Sequence, residues 1–310
     1  MKASYRQIWL WGSKKSVVYY DSGNVFPFDV VPGSFVDQGT CAANSPVRLD
    51  NSVMWIGQDD RGARMAWRAS GYTPQRISNH AVEWHWQQYA TASDAISYGF
   101  QLNGHSFWHI YFPTANASWR YDCATGMWAE VTSLFNGTFG AHLSQNHVYC
   151  FNKHLVGDWS SGNIYEMSDA YLDDAGQPIQ RMRRAPHIST EMTWTFHQMM
   201  QVHLETGVVP QPLYDGNGNP REPQIMLRWS DDGGHTWSNE HWEGAGFGGE
   251  YRKRVYWYRL GRSRDRIYEI TVTDSIAWRI VDSFLRAVNS EGKEVMAPQQ
   301  RLNKRLAEMA

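Results

Sequence analysis

Residues 224–238 read QIMLRWSDDGGHTWS and hold a strand, a tight turn and the start of a returning strand. Ile225, Leu227 and Trp229 alternate with Met226 and Arg228. A period of two is typical of a strand with one face packed and one face toward solvent. The glycines and aspartates that follow at once are turn formers. The segment therefore predicts a β-hairpin, and the rest of the chain can be compared with it.

The turn of this hairpin resembles the Asp-box of β-propellers and related all-β proteins. Its spacing S-x-D-x-G-x-T-W places Ser230, Asp232, Gly234, Thr236 and Trp237. A short carboxylate can accept N–H bonds within the turn, glycine takes positive φ without steric cost, and the indole can fold back over the hairpin. Asp-boxes also suggest sugar-cleaving enzymes of the sialidase type. A structural turn explains the spacing without any ligand, so we interpret Asp232 as a turn brace.

The composition favours a folded all-β protein. The chain has 310 residues, of which 42% are hydrophobic, enough for one large or two ordinary domains. It is rich in aromatic residues, with 16 Trp and 16 Tyr, and it has 26 Gly, which suits short half-buried strands joined by turns. The formal net charge of −2 gives no global attraction to nucleic acid or to an acidic membrane.

Strand-like segments recur along the chain and predict the architecture. Their starting points repeat roughly every 45 residues, the period of four-stranded propeller blades. We expect an all-β fold, a β-propeller of four-stranded blades, over residues 1–288. Residues 289–310 lose the β pattern, and Leu302, Leu306 and Met309 stand at helical spacing. We expect these last residues to form a short helical or disordered tail.

No catalytic or metal-binding motif stands out. The three Cys are far apart and lack zinc-site spacing, and the 12 His are dispersed. His80 and His85 enclose Glu83 in an order that differs from H-E-x-x-H, and no P-loop, G-x-S-x-G or dinucleotide fingerprint appears. The apolar run at the N-terminus is too short for a signal peptide, and no segment has the length of a membrane span. We expect no catalytic residues, no metal and no cofactor.

A glycosidase remains the alternative from the enzyme class. It needs two suitable carboxylates, or a Tyr nucleophile with an arginine cluster that binds a substrate carboxylate. Tyr and Arg are abundant enough to permit this, but only one full Asp-box occurs and no acidic pair stands at a strand end. A lectin-like module that binds glycans through aromatic side chains is a third possibility.

Residues 251–268, YRKRVYWYRLGRSRDRIY, combine seven Arg or Lys with one Asp and several aromatic residues. Such a mixture can bind a nucleic acid backbone, or it can form ion pairs and cation–π stacks with another protein chain. Basic residues also protect exposed strand edges from unwanted pairing. We favour a protein interface. The candidate interface residues are Arg252, Arg254, Trp257, Arg259, Arg262, Arg264 and Arg266.

The sequence resembles the packaged-DNA stabilisation or tail hub (head-closure) proteins of short-tailed bacteriophages. The resemblance rests first on the run from the Asp-box through WYRLGRSRDR at 257–266. It continues in IWLWGSKKSVVYY at 8–20 and SPVRLDNSVMWIGQDDRG at 45–62, and it spans residues 4–285 or so. Family members have more sequence ahead of the IWLWG-like strand. The resemblance therefore leads us to expect that N-terminal blades are missing from this chain or are supplied by another chain.

The resemblance implies a structural protein of the virion tail, made in the host cell cytoplasm. A subunit of this family is a β-propeller in a homo-oligomeric ring, a hexamer by resemblance, below the portal. The ring extends the DNA channel, seals the filled head and provides attachment sites for tail spikes or fibres. The implied partners are further copies of the chain, the portal or an adaptor, a tail spike or fibre, and DNA in transient contact as it leaves. No membrane partner is implied.

Overall fold

The computed structural model describes residues 1–4, 6–58, 61–209, 211–290 and 292. The chain divides into two compact units, Met1–Tyr171 (unit 1) and Leu172–Ala310 (unit 2). Each unit has its own core, whereas the sequence suggested one domain over 1–288. The helix or disordered segment predicted within 289–310 lies outside the described residues, apart from 289, 290 and 292.

Unit 1 consists of antiparallel sheets that follow one another along the chain. Its strands are β1 (Lys2–Ser4), β2 (Gln7–Trp11), β3 (Ser16–Asp21), β4 (Phe28–Val30), β5 (Val47–Leu49), β6 (Ser52–Gln58), β7 (Arg64–Ser70), β8 (Thr73–Arg76), β9 (Ile96–Leu102), β10 (His105–Phe112), β11 (Ala117–Asp122), β12 (Met127–Glu130), β13 (Thr132–Phe135), β14 (Thr138–Ala141), β15 (Ser144–Cys150), β16 (Lys153–Asp158) and β17 (Ile164–Met167).

Four of these sheets form the repeated element that the sequence predicted. Sheet 1 (β1–β4), sheet 2 (β5–β8) and sheet 3 (β9–β12) are four-stranded meanders, and sheet 4 (β15–β17) has three strands. Their first strands begin at Lys2, Val47, Ile96 and Ser144, so the sheets recur at a nearly constant spacing. Each first strand contacts the first strand of the next sheet. Successive four-stranded meanders packed in this way are the blades of a β-propeller, which confirms the prediction.

The core of unit 1 lies between neighbouring sheets. Trp9 and Val18 of sheet 1 pack against Val53 and Trp55 of sheet 2. A larger cluster joins sheets 2 and 3 and includes the fully buried Trp108. Alternating side chains put the apolar members of each strand on the faces that meet, because successive side chains of a strand point to opposite sides.

The helix α1 (His80–Gln88) connects sheets 2 and 3 and was not predicted from the sequence. Asn79 caps it, since its side chain accepts a hydrogen bond from the Val82 backbone N–H at 2.9 Å. Trp86 on its inner face is fully buried in the cluster between sheets 2 and 3. Exposed Trp84 and His85 blur the apolar stripe, so the helical periodicity is weak.

Unit 2 contains longer strands and pairings between distant parts of the chain. Its strands are β18 (Asp173–Asp174), β19 (Gln177–Pro178), β20 (Arg181–Arg184), β21 (Ile188–Ser189), β22 (Thr195–Leu204), β23 (Leu213–Tyr214), β24 (Pro220–Arg221), β25 (Gln224–Ser230), β26 (His241–Gly244), β27 (Val255–Tyr258), β28 (Arg262–Ser263), β29 (Asp265–Val272) and β30 (Ile280–Asn289). In sheet 5 the strands pair in the order β20, β29, β25 and β26, and β21 also pairs with β29. In sheet 6, β27 and β28 pair with one edge of β22, and β30 pairs with its other edge.

The two sheets of unit 2 enclose one apolar core. Val202 and Trp257 of sheet 6 are buried together with Leu227 and Ile270 of sheet 5. Two antiparallel sheets that share a core in this way form a β-sandwich. The Asp-box hairpin at 224–238 therefore belongs to a sandwich sheet, and its assignment to a propeller blade is corrected. Within the part of the chain that the structure describes, no helix is long and apolar enough to cross a membrane.

Candidate functional site

The Asp-box forms a closed hydrogen-bonded turn between β25 and β26. The Ser230 hydroxyl donates to Asp232 Oδ1 at 2.7 Å and accepts from the Gly234 N–H at 2.8 Å. Thr236 donates to Asp232 through its N–H at 2.8 Å and through its hydroxyl at 2.6 Å. Gly234 has φ of +96°, a conformation that glycine adopts without strain. The carboxylate thus faces the turn that it stabilises.

These hydrogen bonds also decide the protonation of Asp232. The pKa of its carboxyl lies well below the usual value because the Thr236 hydroxyl and N–H, followed by the Ser230 hydroxyl, donate to the charged form. A general acid needs a pKa near the working pH, so this carboxylate is unsuited to that role.

The last Asp-box residue, Trp237, joins the turn to the sheet below it. Its indole N–H donates to the Gly234 carbonyl at 3.2 Å. The guanidinium carbons of Arg184 and Arg228 each lie 4.9 Å from the centre of the Trp237 ring. Both arginines also form ion pairs with Glu269, which is fully buried. Glu269 of strand β29 thereby holds the hairpin, because it pairs with the two arginines whose guanidinium groups lie over the Trp237 indole.

Two of the predicted interface residues are buried inside unit 2. Trp257 belongs to the sandwich core, and its indole N–H donates to the His241 carbonyl at 3.0 Å. Arg266 is 2% exposed and forms a two-point ion pair with Asp231, at 2.6 Å and 2.8 Å. Its guanidinium carbon lies 4.9 Å from the Trp229 ring centre. Trp257 and Arg266 therefore stabilise the sandwich and cannot contact a partner, which corrects their assignment to the interface.

The other five predicted interface residues lie on the surface. They are Arg252, Arg254, Arg259, Arg262 and Arg264. Within the described part of the chain, none of the five forms an ion pair with a carboxylate.

Two of these arginines share an aromatic platform that the sequence analysis missed. The guanidinium carbons of Arg262 and Arg264 lie 4.7 Å and 4.9 Å from the ring centre of Trp194, which is 39% exposed. Trp194 comes just before β22, whose residues Thr195 and Phe196 pair with Ser263 and Arg262 of β28. The sequence signal for this platform was the alternation of the aromatic residues Trp194 and Phe196 with the polar residue Thr195, which is typical of a strand with an aromatic face. We call Trp194, Arg262 and Arg264 the Trp–Arg cluster.

The Trp–Arg cluster is suited to binding an oxyanion such as a carboxylate or a phosphate. A guanidinium stacked on an indole keeps its N–H groups in one plane and loses little freedom when it binds. Its paired N–H groups match a carboxylate or a phosphate in a two-point hydrogen bond. The cluster therefore offers two oriented cations on an exposed indole. Trp and Arg are also the residue types that dominate the binding energy of protein interfaces.

The second basic segment of unit 2, RMRR at 181–184, is mostly occupied by contacts within the unit. Arg181 donates to the Asp274 carbonyl at 3.1 Å and to the Leu172 carbonyl at 2.9 Å, and burial lowers its pKa. Arg184 pairs with Glu269 as described above. This segment contributes to the fold of unit 2, and only Arg183 is left exposed without such a role.

Unit 1 contains a histidine cluster that the sequence did not indicate. His109 is fully buried between sheets 3 and 4, and burial holds its pKa well below the usual value. Burial, with the nearby Arg120 charge, lowers the pKa of His142 to about 3. His142 Nδ1 lies 2.7 Å from the Ser144 hydroxyl, which in turn lies 2.6 Å from the Tyr98 hydroxyl. These rings are neutral packing groups at neutral pH. No group of His, Cys, Asp or Glu within the described residues could hold a metal ion.

Two family models match this chain. One, described as Bacteriophage P22 Gp10, beta-propeller, matches residues 5–171, and one described as Bacteriophage P22 Gp10, beta-sandwich, matches residues 180–287. The two matches coincide with the propeller-like sheets of unit 1 and the sandwich of unit 2. They also confirm the resemblance found in the sequence. Comparison with curated proteins gives no match.

Similar solved structures include TolB from Acinetobacter baumannii, at 12% identity and a TM-score of 0.28, with 84% of this chain and 54% of that chain covered. A glycoside hydrolase family 43 arabinoxylan arabinofuranohydrolase from Bacillus subtilis has 8% identity and a TM-score of 0.24, with 86% and 57% covered. A mutant of Trypanosoma rangeli sialidase displaying trans-sialidase activity has 8% identity and a TM-score of 0.25, with 84% and 64% covered. The chain thus spans less than two thirds of each of these proteins. TM-scores of this size establish no shared fold or activity.

Proposed function

Because the chain belongs to the bacteriophage P22 Gp10 family and is a bacteriophage structural protein, we propose that it is a tail hub, or head-closure adaptor. In this role it forms a homo-oligomeric ring, a hexamer by family resemblance, in the virion tail. The ring extends the DNA channel below the portal, retains the packaged DNA and anchors tail spikes or fibres. Its action is mechanical and electrostatic, and no reaction is catalysed.

The observation that supports this proposal most is the set of five exposed arginines in unit 2. They lack carboxylate partners within the described residues, and two of them are held on Trp194. An adaptor needs rigid surfaces that recognise other proteins. The strands β22 and β28 supply the rigidity, since Thr195 and Ser263 are buried beneath the Trp–Arg cluster. A carboxylate on the portal, an adaptor or a neighbouring subunit would complete the guanidinium hydrogen bonds.

DNA is a secondary and transient partner in this proposal. Phosphate contacts make binding strongly dependent on salt, and affinity grows with the number of cations that follow the backbone. The Trp–Arg cluster is compact, and the chain as a whole is slightly acidic, with a formal net charge of −2. Brief contact with exiting DNA fits these properties, whereas stable DNA binding does not.

A sialidase-like role finds little support in the geometry of the Asp-box. Asp232 is engaged by Thr236 and Ser230, and Asp231 pairs with Arg266. Both acidic residues of the turn are thus committed to the fold. Incubation with a panel of sialosides and other glycans tests the point, since an adaptor turns over none of them. Binding to a glycan array without hydrolysis would instead favour the lectin-like alternative.

Charge reversal on the surface tests the proposal directly. The variant Arg262→Glu/Arg264→Glu removes both cations from Trp194, and Arg183→Glu is a matched control because Arg183 is another exposed arginine of unit 2. Binding of each protein to purified portal-connector complexes is measured by sedimentation. We expect the double variant to bind roughly thirtyfold or more weakly, the size of at least one interface hot spot of about 2 kcal/mol. Unchanged binding by the double variant, or an equal loss in Arg183→Glu, would contradict the proposal.

A further inference from the structure

Sheet 4 lacks the apolar packing that joins sheets 1, 2 and 3. Two clusters of buried apolar side chains connect those three sheets, and neither contains a described residue of β15, β16 or β17. Sheet 4 nevertheless contacts sheet 3, since its first strand β15 lies against β9, the first strand of sheet 3. The side chains that hold this contact are therefore of another kind.

Aromatic and imidazole rings fill the contact between sheets 3 and 4. Tyr98 of β9 stacks with His109 of β10 and with His147 of β15, at distances of 4.8 Å and 5.8 Å between ring centres. The His147 ring also lies 5.5 Å from the Phe100 ring, and His154 of β16 continues the series at 5.2 Å from His147. Imidazole is the side chain whose charge ordinarily changes between pH 5 and pH 8. This contact therefore depends on groups that acid can charge.

His147 and His154 share one hydrogen bond. Nε2 of His147 lies 2.9 Å from Nδ1 of His154. A hydrogen bond between two imidazole nitrogens needs one N–H donor and one bare nitrogen, so the accepting ring must be neutral. A proton on the accepting nitrogen turns it into a second donor, and the bond is lost. Two positive rings would then face each other at close range, which is unfavourable.

The charges around this histidine pair do not compensate a second positive ring. Arg120 adds a fixed positive charge, since its guanidinium carbon lies 5.3 Å from the centre of the Phe100 ring that contacts both histidines. Asp122 is the carboxylate on this side of sheet 3, and it is engaged by His105 at 2.9 Å and by the Thr125 hydroxyl at 2.8 Å. The register places these ionisable side chains on the two facing sides: Tyr98, His105, His109, Arg120 and Asp122 of sheet 3, and His147, Tyr149, His154 and Tyr165 of sheet 4, with His142 just ahead of β15.

Burial of the contact also opposes protonation. Burial, together with the neighbouring His154, lowers the pKa of His147 below its usual value of 6.5. A detached sheet 4 would restore the usual value, so the detached form binds protons that the packed form resists. The contact is therefore at full strength above pH 6.5 and weakens as the pH falls below it. The pKa of His142 is lowered to about 3, so His142 stays neutral in mild acid.

We propose that the His147–His154 pair is an acid-sensitive latch, which holds sheet 4 on sheet 3 at neutral pH and releases it in mild acid. The release is local, because the apolar clusters that join sheets 1 to 3 contain no histidine and keep those sheets packed over the same pH range. The latch is independent of the proposed hub, since it requires no portal, no spike and no second copy.

Hydrogen exchange of the full chain measures the release. Mass spectrometry follows the exchange at pH 7.5 and pH 5, corrected for the intrinsic effect of pH. We expect the protection of β15, β16 and β17 to fall at pH 5 by about tenfold or more, the factor that one pKa unit represents. A small sheet without a packed face does not keep its hydrogen bonds. Strands β6 and β7 should keep their protection.

The variant His147→Phe/His154→Phe keeps two rings at the contact and removes both titrating groups. We expect this variant to retain the protection of sheet 4 at pH 5. His235→Phe is the control, because it removes an exposed histidine of unit 2, and it should behave as the wild type does. A wild type with equal protection of sheet 4 at both pH values, an equal fall in β6 and β7, or an unchanged fall in the double variant would overturn the proposal.

Nuclear magnetic resonance of the wild type tests the latch without any substitution. Spectra of isotope-labelled histidine rings report the protonation of each nitrogen as the pH is lowered. We expect one bare and one protonated nitrogen across the His147–His154 hydrogen bond at pH 7.5. Both rings should become fully charged over the same pH range in which sheet 4 loses protection. Two fully charged rings in a protein whose sheet 4 is still protected would overturn the proposal.

Discussion

The substitution Glu269→Gln tests how the Asp-box hairpin is fastened to the sandwich. Glu269 is fully buried, and its two oxygens accept hydrogen bonds from Arg184 and Arg228, which both stack on Trp237. Glutamine keeps the shape but replaces one oxygen by an NH₂ group, so one guanidinium faces a donor. Breaking a buried ion pair costs about 3–5 kcal/mol when the partner stays buried. Here the side chains of Arg184 and Arg228 are 53% and 33% exposed and can be rehydrated. We therefore expect a loss of about 2 kcal/mol.

Calorimetry of the full chain measures this loss in the unfolding transition of unit 2. A loss of about 2 kcal/mol corresponds to a decrease of roughly 8 °C in Tm for a domain of this size. Glu243→Gln is the matched control, because Glu243 is exposed on β26, and it should change the free energy of unfolding by less than about 0.5 kcal/mol. If Glu269→Gln unfolded at the wild-type temperature, the network of Trp237 and the two arginines would not be what holds the hairpin.

Three further predictions concern stability. Burial lowers the pKa of His142 to about 3 and that of His197 to about 4 from 6.5, so stability is full above pH 6.5 and falls as the pH drops toward those values. Urea unfolding at pH 7 and pH 5 measures the decrease in the free energy of unfolding, and this decrease should be smaller in His142→Asn. Asn79→Ala removes the cap of α1 and should cost about 1 kcal/mol in urea unfolding, and an unchanged midpoint would contradict the capping role. In Gly39→Ala, the new Cβ would lie 2.3 Å from a backbone oxygen, so the Tm of this variant should fall sharply. In the control Gly216→Ala, the new Cβ would meet no atom within 4 Å, so the Tm should not fall sharply.

The all-β class and the propeller-like part of the fold were predictable from local patterns. Period-two alternation identified strand β25, and the repeat of strand starts identified the blades, because each blade is a meander of neighbouring strands. The sandwich was not predictable in this way. Its sheets pair β20 with β29 and β22 with β30, which are far apart in the sequence. Alternation looks the same in a blade strand and in a sandwich strand, so local sequence does not specify the partner.

The candidate site illustrates the same limit at the level of single residues. Arg262, Arg264 and Arg266 are two residues apart and would lie on one face of a continuous strand. The chain instead leaves sheet 6 after β28 and enters sheet 5 with β29. As a result, Arg262 and Arg264 stay on the surface over Trp194, whereas Arg266 enters the interior and pairs with Asp231. The sequence identified the arginines as candidates. Which of them lie on the surface and which in the interior could be decided only from the sheet topology.

Cryo-electron microscopy of the intact virion tests the central proposal most directly. The proposed role predicts density for this chain as a closed ring directly below the portal, with the Trp–Arg cluster of each copy in contact with a neighbouring protein. Density for the chain only at the tips of the fibres, or a chain that stays monomeric in the presence of all other virion proteins, would contradict it.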